Sequence, residues 1–221
     1  MKTKSPSGIF SQFLTNFREQ KDKRKQYREW AERRFAAPSP TFVKNEVILR
    51  NGIPNAIWVE TGTYKGDTSS LLSKGAKKVY TIEPAEQLYL DAKSRFKNSG
   101  NVEVIQGISE EVFPKLLPTL SGEINFWLDG HYSTGVTYQG PKDCPLVEEL
   151  ASIEKHLKNF PKIVILIDDV RYCANPSIHQ FSGYPKLDVL VDWAHKNNLY
   201  WHIEHDTMVI KNPSLYTEKD V

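Results

Sequence analysis

Residues 58–70 read WVETGTYKGDTSS, and this stretch decides the fold. An apolar run ends at Glu60, glycines follow at Gly62 and Gly66, and a helical pattern begins near Asp67. Glycines at a strand-to-helix turn let the backbone approach a ligand closely at the carboxyl edge of a parallel sheet. The stretch therefore predicts a ligand-binding turn after the first strand of an α/β domain, with a plain tight turn as the alternative.

The residues around the two glycines indicate which ligand the turn suits. Their Gly-x-x-x-Gly spacing differs from the Gly-x-Gly-x-x-Gly of dinucleotide enzymes and disfavours an NAD-dependent dehydrogenase. Glu60 would repel a pyrophosphate, but it suits a cationic group such as the amino end of S-adenosylmethionine (SAM). Glu83 closes the next apolar run, VYTIEP, where a carboxylate can accept both hydroxyls of a ribose.

Short apolar or β-branched runs alternate with helical patterns along the rest of the chain. Five strands interleaved with helices predict a parallel sheet covered on both faces. Two further strands lie too close together for a crossover connection and must form an antiparallel hairpin. The predicted strands are 56–60, 78–82, 102–106, 125–129, 162–168, 199–205 and 207–211, and the predicted helices are 67–74, 84–97, 109–117, 146–158 and 185–197.

The composition places this sheet in one domain with a basic arm. The chain has 221 residues, of which 39% are hydrophobic and 25% charged, as in a single globular domain with an added segment. Residues 1–50 carry 12 Lys and Arg against 5 Asp and Glu, whereas the other residues are net acidic. We predict an arm over 1–40, ending at the breaker AAPSP, and a domain over 41–221.

The arm has several possible partners. Its aromatic and aliphatic residues between Ile9 and Phe17 recur at helical spacing, and a highly charged run follows to Arg34. Such a helix can dock on the domain or on a sister subunit, which would make a homo-oligomer through the arm. A membrane surface or a nucleic acid is the less favoured alternative.

The composition also excludes several classes of protein. No apolar run approaches the ~20 residues that a membrane-spanning helix needs, and the first residues, MKTKSPSGIF, lack the apolar segment of a secretory signal. We therefore expect a cytoplasmic protein. The two cysteines, Cys144 and Cys173, provide neither a disulfide framework nor a cysteine zinc site.

Acidic residues follow the fourth and fifth predicted strands. Asp129 ends the strand in FWLDGHYS, and Asp168 and Asp169 end the one in ILIDDVR. If these strands are neighbours, three carboxylates converge and need protons or a cation, most simply Mg²⁺. Alternatively, Asp129 orients the amine of the cofactor, Asp168 caps a loop, and Arg171 neutralises the pair.

His131 lies in the loop after the fourth predicted strand. Its near-neutral intrinsic pKa suits a general base that deprotonates a hydroxyl acceptor. The long segments 132–143 and 171–184 follow the fourth and fifth strands, and we expect them to form lids that select the substrate.

Over residues 41–217 the chain resembles class I SAM-dependent methyltransferases. It is most similar to a bacterial methyltransferase-like group in the segments VETGTYKGDTS, FWLDGHYS, CPLVEEL and ILIDDVR, and more distantly to metal-dependent O-methyltransferases of the catechol and macrocin types. The resemblance implies a doubly wound, seven-stranded Rossmann-like sheet that ends in an antiparallel hairpin.

The resemblance also implies the cofactor contacts. They comprise Glu60, Gly62, Thr63, Tyr64 and Gly66 around the methionine part, Glu83 on the ribose, and Gly107, Ile108 and Ser109 around the adenine. At the position of Ile108 the related bacterial group usually carries an acidic residue. A hydrogen bond between a carboxylate and the adenine is therefore absent here. Asp129, Asp168 and Asp169 match the positions that hold Mg²⁺ in the metal-dependent enzymes.

These observations predict a SAM-dependent O-methyltransferase of a small hydroxyl-bearing acceptor, with Mg²⁺ as the candidate metal. His131 and Asp129 are the predicted catalytic residues, and Asp129 also contacts the cofactor. The alternative is a non-catalytic SAM-binding regulatory or interaction protein that works through its basic arm.

Overall fold

Strands and helices alternate along most of the chain. The computed structural model describes residues 6–131, 138, 140, 143–174 and 182–217, without the side chains of 6–17. The strands are β1 (Ile57–Thr61), β2 (Lys78–Glu83), β3 (Val102–Gln106), β4 (Ile124–Leu128), β5 (Ile163–Ile167), β6 (Tyr200–Glu204) and β7 (Thr207–Lys211). The helices are α1 (Pro6–Glu32), α2 (Thr41–Asn51), α3 (Asp67–Leu72), α4 (Glu86–Phe96), α5 (Ser109–Leu116), α6 (Leu146–His156), α7 (Arg171–Ala174) and α8 (Leu187–Lys196).

The seven strands form one sheet in the order β3-β2-β1-β4-β5-β7-β6. β1 to β5 are parallel, and β7 pairs antiparallel with both β5 and β6. Leu128 is in register with Thr61 on one side and with Ile167 on the other. The residues that follow β1, β4 and β5 therefore leave the sheet side by side. This topology confirms the predicted doubly wound sheet and its terminal hairpin.

Apolar side chains cover both faces of the sheet. Successive residues of a strand point to opposite faces, so Phe126 joins the larger core cluster while Trp127 joins the smaller one. Ile48 of α2 packs in the smaller cluster, beneath the same face as Trp127. Burial on both faces explains why β4 and β5 are continuous apolar runs.

The arm contacts the domain through Trp30. This side chain is 8% exposed, and its ring lies 5.4 Å from the ring of His205, in the turn between β6 and β7. Its Nε1 donates to the carbonyl oxygen of Ala36, 3.0 Å away. The end of α1 is thus docked on the domain. A boundary at residue 40, a homo-oligomer, and contact with a membrane or a nucleic acid stay predictions.

Helix α2 is absent from the sequence-based prediction. Its apolar residues Val43, Val47 and Ile48 follow helical spacing, but the run is short and rich in β-branched residues, which favour strands. Packing of Val47 and Ile48 in the interior overrides that preference. In the described part of the chain, no helix combines the length and the apolar character needed to cross a bilayer.

Candidate functional site

A cleft opens at the carboxyl edge of the sheet, with about 440 Å³ of empty space that includes its opening to solvent. Of the predicted cofactor residues, Gly62, Gly107, Ile108 and Ser109 line it. Its other lining residues, which the sequence did not single out as cofactor contacts, are Thr61, Ile82, Pro84, Glu110, Gly130, Tyr138, Gly140, Asp143 and Pro145. The cleft lies where ligands bind in open α/β sheets, outside the carboxyl ends of the central strands.

Gly62 brings two loops into contact beside the cleft. Its φ of +83° lies in the left-handed region, and a Cβ there would lie 2.4 Å from the carbonyl oxygen of Asp129. Gly66 also has a left-handed φ, and a Cβ there would lie 2.7 Å from Cε2 of Phe96. The two glycines therefore allow close packing of the turn against the protein itself.

Glu60 lies in the interior and does not line the cleft. It has the same parity along β1 as Trp58 and thus projects from the same face of the sheet. Thr81 donates to its Oε2 at 2.6 Å, and Ser69 donates to the same oxygen. Its Oε1 is buried with no hydrogen-bond partner among the described residues. Burial raises the pKa of Glu60 to about 7.

Glu83 holds the turn together from the end of β2. It accepts the backbone N–H of Tyr64 at 2.8 Å and that of Ala85 at 3.0 Å, and burial raises its pKa. Thr63 is buried and shares a 2.6 Å hydrogen bond with Thr81, whereas Tyr64 is exposed. A carboxylate has further acceptor sites, so Glu83 can still bind a ribose.

A second buried glutamate lies under the far side of the cleft. Glu149 of α6 is 1% exposed and is hydrogen-bonded to Ser109 and Thr61, both of which line the cleft. Its Oε1 has no partner among the described residues and would lie 3.3 Å from a Cβ at Gly130. Burial raises the pKa of Glu149 to about 7. The segment CPLVEEL contained this residue without any pattern that marked it.

The predicted carboxylates do converge, with His131 between two of them. Nε2 of His131 lies 3.0 Å from Oδ2 of Asp169, and its Nδ1 lies 3.4 Å from Oδ1 of Asp129. Asp169 has a φ of +54°, an uncommon conformation for a residue other than glycine. We call Asp129, Asp168 and Asp169 the carboxylate cluster.

Three basic side chains surround the carboxylate cluster. Lys44 of α2 forms an ion pair with Asp168, whose carboxylate is 1% exposed. Arg171 lies 2.7 Å from Asp169 and also pairs with the buried Asp206. His131 bridges Asp129 and Asp169. The sequence did not predict Lys44 or Asp206 as site residues. Lys44 was not predicted because helix α2, which carries it, was not predicted.

The pKa values of the cluster are pulled apart by these neighbours. Burial and the charge of Asp168 raise the pKa of Asp129 to about 8. Burial opposes charge on Asp169, but the hydrogen bond from His131 and the charge of Arg171 hold its pKa well below the usual range. Burial would lower the pKa of His131, yet its bond to Asp169 and the charges of the cluster raise it. Divergent pKa values among adjacent groups are typical of acid–base sites.

The predicted Mg²⁺ site is not supported by this arrangement. Each carboxylate of the cluster already bonds to a protein cation, whereas Mg²⁺ requires free oxygen ligands in near-octahedral geometry. Across the residues that the structure describes, no group of three or more His, Cys, Asp or Glu side chains is arranged to hold a metal. The sequence predicted the converging carboxylates, and the alternative in which Arg171 neutralises them agrees with its ion pair with Asp169, but it did not predict the ion pair of Lys44 with Asp168.

The two predicted lids meet at Asp143 and Ser182. The backbone N–H and the hydroxyl of Ser182 donate to Oδ2 of Asp143 at 2.7 and 2.9 Å. Tyr184, from the second lid, lies with its ring 6.0 Å from that of His131. Much of both lids, including Tyr132, Lys142 and 175–181, lies outside the described residues.

Comparison with known proteins finds methyltransferases. The chain is 34% identical over 113 residues to protein-L-isoaspartate O-methyltransferase 2 of Nitrosococcus oceani, a match that covers 50% of the chain and 47% of that relative. The chain thus spans about half the length of the curated relative it matches. No family model matches the chain.

Solved structures share the architecture at low sequence identity. A proposed caffeoyl-CoA O-methyltransferase from Staphylococcus aureus has a TM-score of 0.50 and 14% identity, covering 92% of this chain and 99% of that one. A proposed methyltransferase from Streptococcus mutans in complex with SAH has a TM-score of 0.48 and 16% identity, covering 79% and 97%. The fold of the chain is the Rossmann-like class I methyltransferase fold.

Proposed function

We propose that the protein is a SAM-dependent O-methyltransferase that acts on a small hydroxyl-bearing acceptor. One observation carries this proposal: the glycine-lined cleft reaches Gly130, between Asp129 and His131. A donor bound in the cleft would thus have an acid–base pair next to it. The relatives named above methylate different acceptors according to their names, so the acceptor is inferred from the site itself.

The donor would lie along the turn after β1. Gly62 and Thr61 line the cleft where the methionine part is proposed to lie, and Ile108 and Ser109 line it where the adenine is proposed to lie. Glu83 fixes the backbone of the turn and is proposed to bind the ribose hydroxyls. Because Glu60 is turned into the interior, we assign it to holding β1, β2 and α3 together and infer no direct contact with the amine.

Asp129 and His131 would together remove the proton from the hydroxyl group of the acceptor. His131 bonds to carboxylates through both ring nitrogens, and its raised pKa favours the charged form. A protonated imidazole cannot accept a further proton. We therefore assign the role of general base, which takes the proton from the hydroxyl substrate, to Asp129, whose side chain is 30% exposed. His131 then orients Asp129 and stabilises its charge.

The reaction is an in-line displacement at the methyl carbon. Bound SAM would supply the methyl group, which the acceptor oxygen would take as the carbon–sulfur bond breaks, with neutral S-adenosylhomocysteine (SAH) as the leaving group. The hydroxyl proton passes to Asp129. The protein contributes mainly by holding the oxygen, carbon and sulfur collinear and in contact.

Turnover against a panel of acceptors tests the proposal. SAH formation should be measured with catechols, sugars and an isoaspartyl peptide, for the wild type, Asp129→Asn and His131→Gln. We expect a small hydroxyl compound to be methylated, and Asp129→Asn to lower the rate by roughly 10²–10⁴-fold, as for loss of a general base. Glu111→Gln, an exposed change on α5, is the matched control.

The dependence of the rate on pH tests the role of Asp129 as the general base. Since burial and Asp168 raise the pKa of Asp129 to about 8, the rate should rise with pH until that group is ionised. Methylation of the peptide alone, or full activity in Asp129→Asn, would contradict the proposal.

One observation favours the non-catalytic alternative. A groove between α1 and α2 is lined by basic and aromatic side chains, namely Lys23, Arg24, Arg28, Tyr27 and Phe42, with Gln20 and Ala31. Such a surface suits an anionic partner. SAM binding without SAH formation on any acceptor, together with salt-sensitive binding of a polyanion lost in Arg24→Ala/Arg28→Ala, would support this alternative.

A further inference from the structure

Lys44 lies beside the carboxylate cluster and forms an ion pair with its most buried member, Asp168. It comes from α2, one helical turn before the buried Ile48, so the packing of α2 fixes where its side chain lies. Its ammonium pairs with Asp168 and lies 6.0 Å from the centre of the Trp127 ring. The Lys44 side chain is 25% exposed and the Asp168 side chain is 1% exposed. The positive charge is therefore held within the protein by tertiary structure.

The ion pair between Lys44 and Asp168 neutralises a buried charge, in addition to packing two side chains together. A carboxylate as buried as Asp168 cannot stay ionised without a cation close to it. Burial alone would lower the pKa of Lys44, but the charge of Asp168, helped by those of Asp129 and Asp169, raises it. Arg171 is engaged with Asp169 and Asp206, and His131 with Asp129 and Asp169. Asp168 thus depends on Lys44.

We propose that Lys44 is a built-in counter-ion of Asp168, so that the carboxylate cluster is neutralised by the protein's own side chains and does not fit a divalent metal. A divalent ion and an ammonium next to the same carboxylate would repel each other. Oδ1 of Asp168 is buried with no hydrogen-bond partner among the described residues, so loss of Lys44 would leave this buried carboxylate without its ion-pair partner. The inference concerns the folded protein and does not depend on methyl transfer.

Metal binding by the full chain tests the inference directly. Mn²⁺ should be titrated by electron paramagnetic resonance into the wild type, Lys44→Met, Lys44→Arg and Lys196→Met, and melting followed in Mg²⁺ and in EDTA. Lys44→Met keeps the length of the side chain and removes its charge, whereas Lys44→Arg keeps the charge. Lys196→Met is the matched control, because Lys196 pairs with Glu154 on the surface.

We expect the wild type, Lys44→Arg and Lys196→Met to bind no Mn²⁺ at the cluster and to melt alike in Mg²⁺ and EDTA. Lys44→Met should melt at a lower temperature than the wild type in both solutions and should also bind no Mn²⁺ at the cluster. Lys44→Met/Asp168→Asn should recover most of the lost melting temperature, because it removes the buried charge together with its counter-ion. One Mn²⁺ bound by the wild type, or a Lys44→Met protein without loss of stability, would overturn the inference.

Discussion

Burial raises the pKa of single carboxyl groups in this protein well above the values that they have in water. Glu149 shows this most clearly, since it is 1% exposed, has an oxygen without a partner among the described residues, and has its pKa raised to about 7 by burial. The folded protein keeps the proton up to about pH 7, whereas the unfolded chain releases it near pH 4.5. Unfolding therefore becomes more favourable as the pH rises through that window.

Glu149→Gln should remove part of this pH dependence. We expect the wild type to lose on the order of 2–3 kcal/mol of unfolding free energy between pH 4.5 and 7 through Glu149, and the variant to lose less. Glu60, whose pKa is also raised to about 7, accounts for a second part. Urea unfolding at pH values on both sides of the window measures the difference.

Glu111→Gln is the control for that comparison, because Glu111 is exposed on α5. It should follow the wild type at every pH. If Glu149→Gln shows the same pH slope as the wild type, Glu149 is ionised in the folded protein and the interpretation fails.

Among the elements, the turn between β1 and α3 depends most on its backbone conformation. Gly62→Ala would combine a left-handed φ of +83° with a Cβ 2.4 Å from the carbonyl oxygen of Asp129. We expect a loss of about 1–3 kcal/mol of unfolding free energy and weaker SAM binding, since both loops line the cleft. Thermal melting and calorimetry measure the two effects.

Gly75→Ala provides the comparison, because a Cβ there has no atom within 4 Å. It should leave SAM binding and melting close to those of the wild type. Equal behaviour of the two variants would show that the contact between Gly62 and Asp129 is dispensable.

Among the described residues of helix α1, Trp30 is the buried side chain that contacts the turn between β6 and β7. Trp30→Ala should remove the contact with His205 and release the end of the helix, because Trp30 is the buried residue at that end. Trypsin should then cleave the variant faster than the wild type within residues 18–28, where lysines and arginines are frequent. Tyr27→Ala, which alters an aromatic that is 52% exposed, should be cut at the wild-type rate; faster cleavage of both or of neither would refute this attachment.

At the scale of the whole molecule, the sequence predicted the sheet better than the site. The strands and the terminal hairpin follow from alternation and connection lengths, which are local properties, and β1 and β4 begin and end within one residue of expectation. The site depends on which face each side chain takes and on distant residues. Glu60 has the parity of Trp58 and turns inward, and Lys44 reaches Asp168 across 124 positions. The alternation along β1 places Glu60 on the face of Trp58 but does not say which face the cofactor takes, and the contact between Lys44 and Asp168 has no local signal in the sequence.

We propose that the cleft binds SAM and that this binding needs no metal. Calorimetric titration of the full chain with SAM, in EDTA and then in Mg²⁺, tests it most directly. We predict one SAM per chain with equal affinity in both solutions, and binding weaker by at least tenfold in Glu83→Ala, about 1.4 kcal/mol or more. Absence of SAM binding, or binding that requires Mg²⁺, would contradict the account.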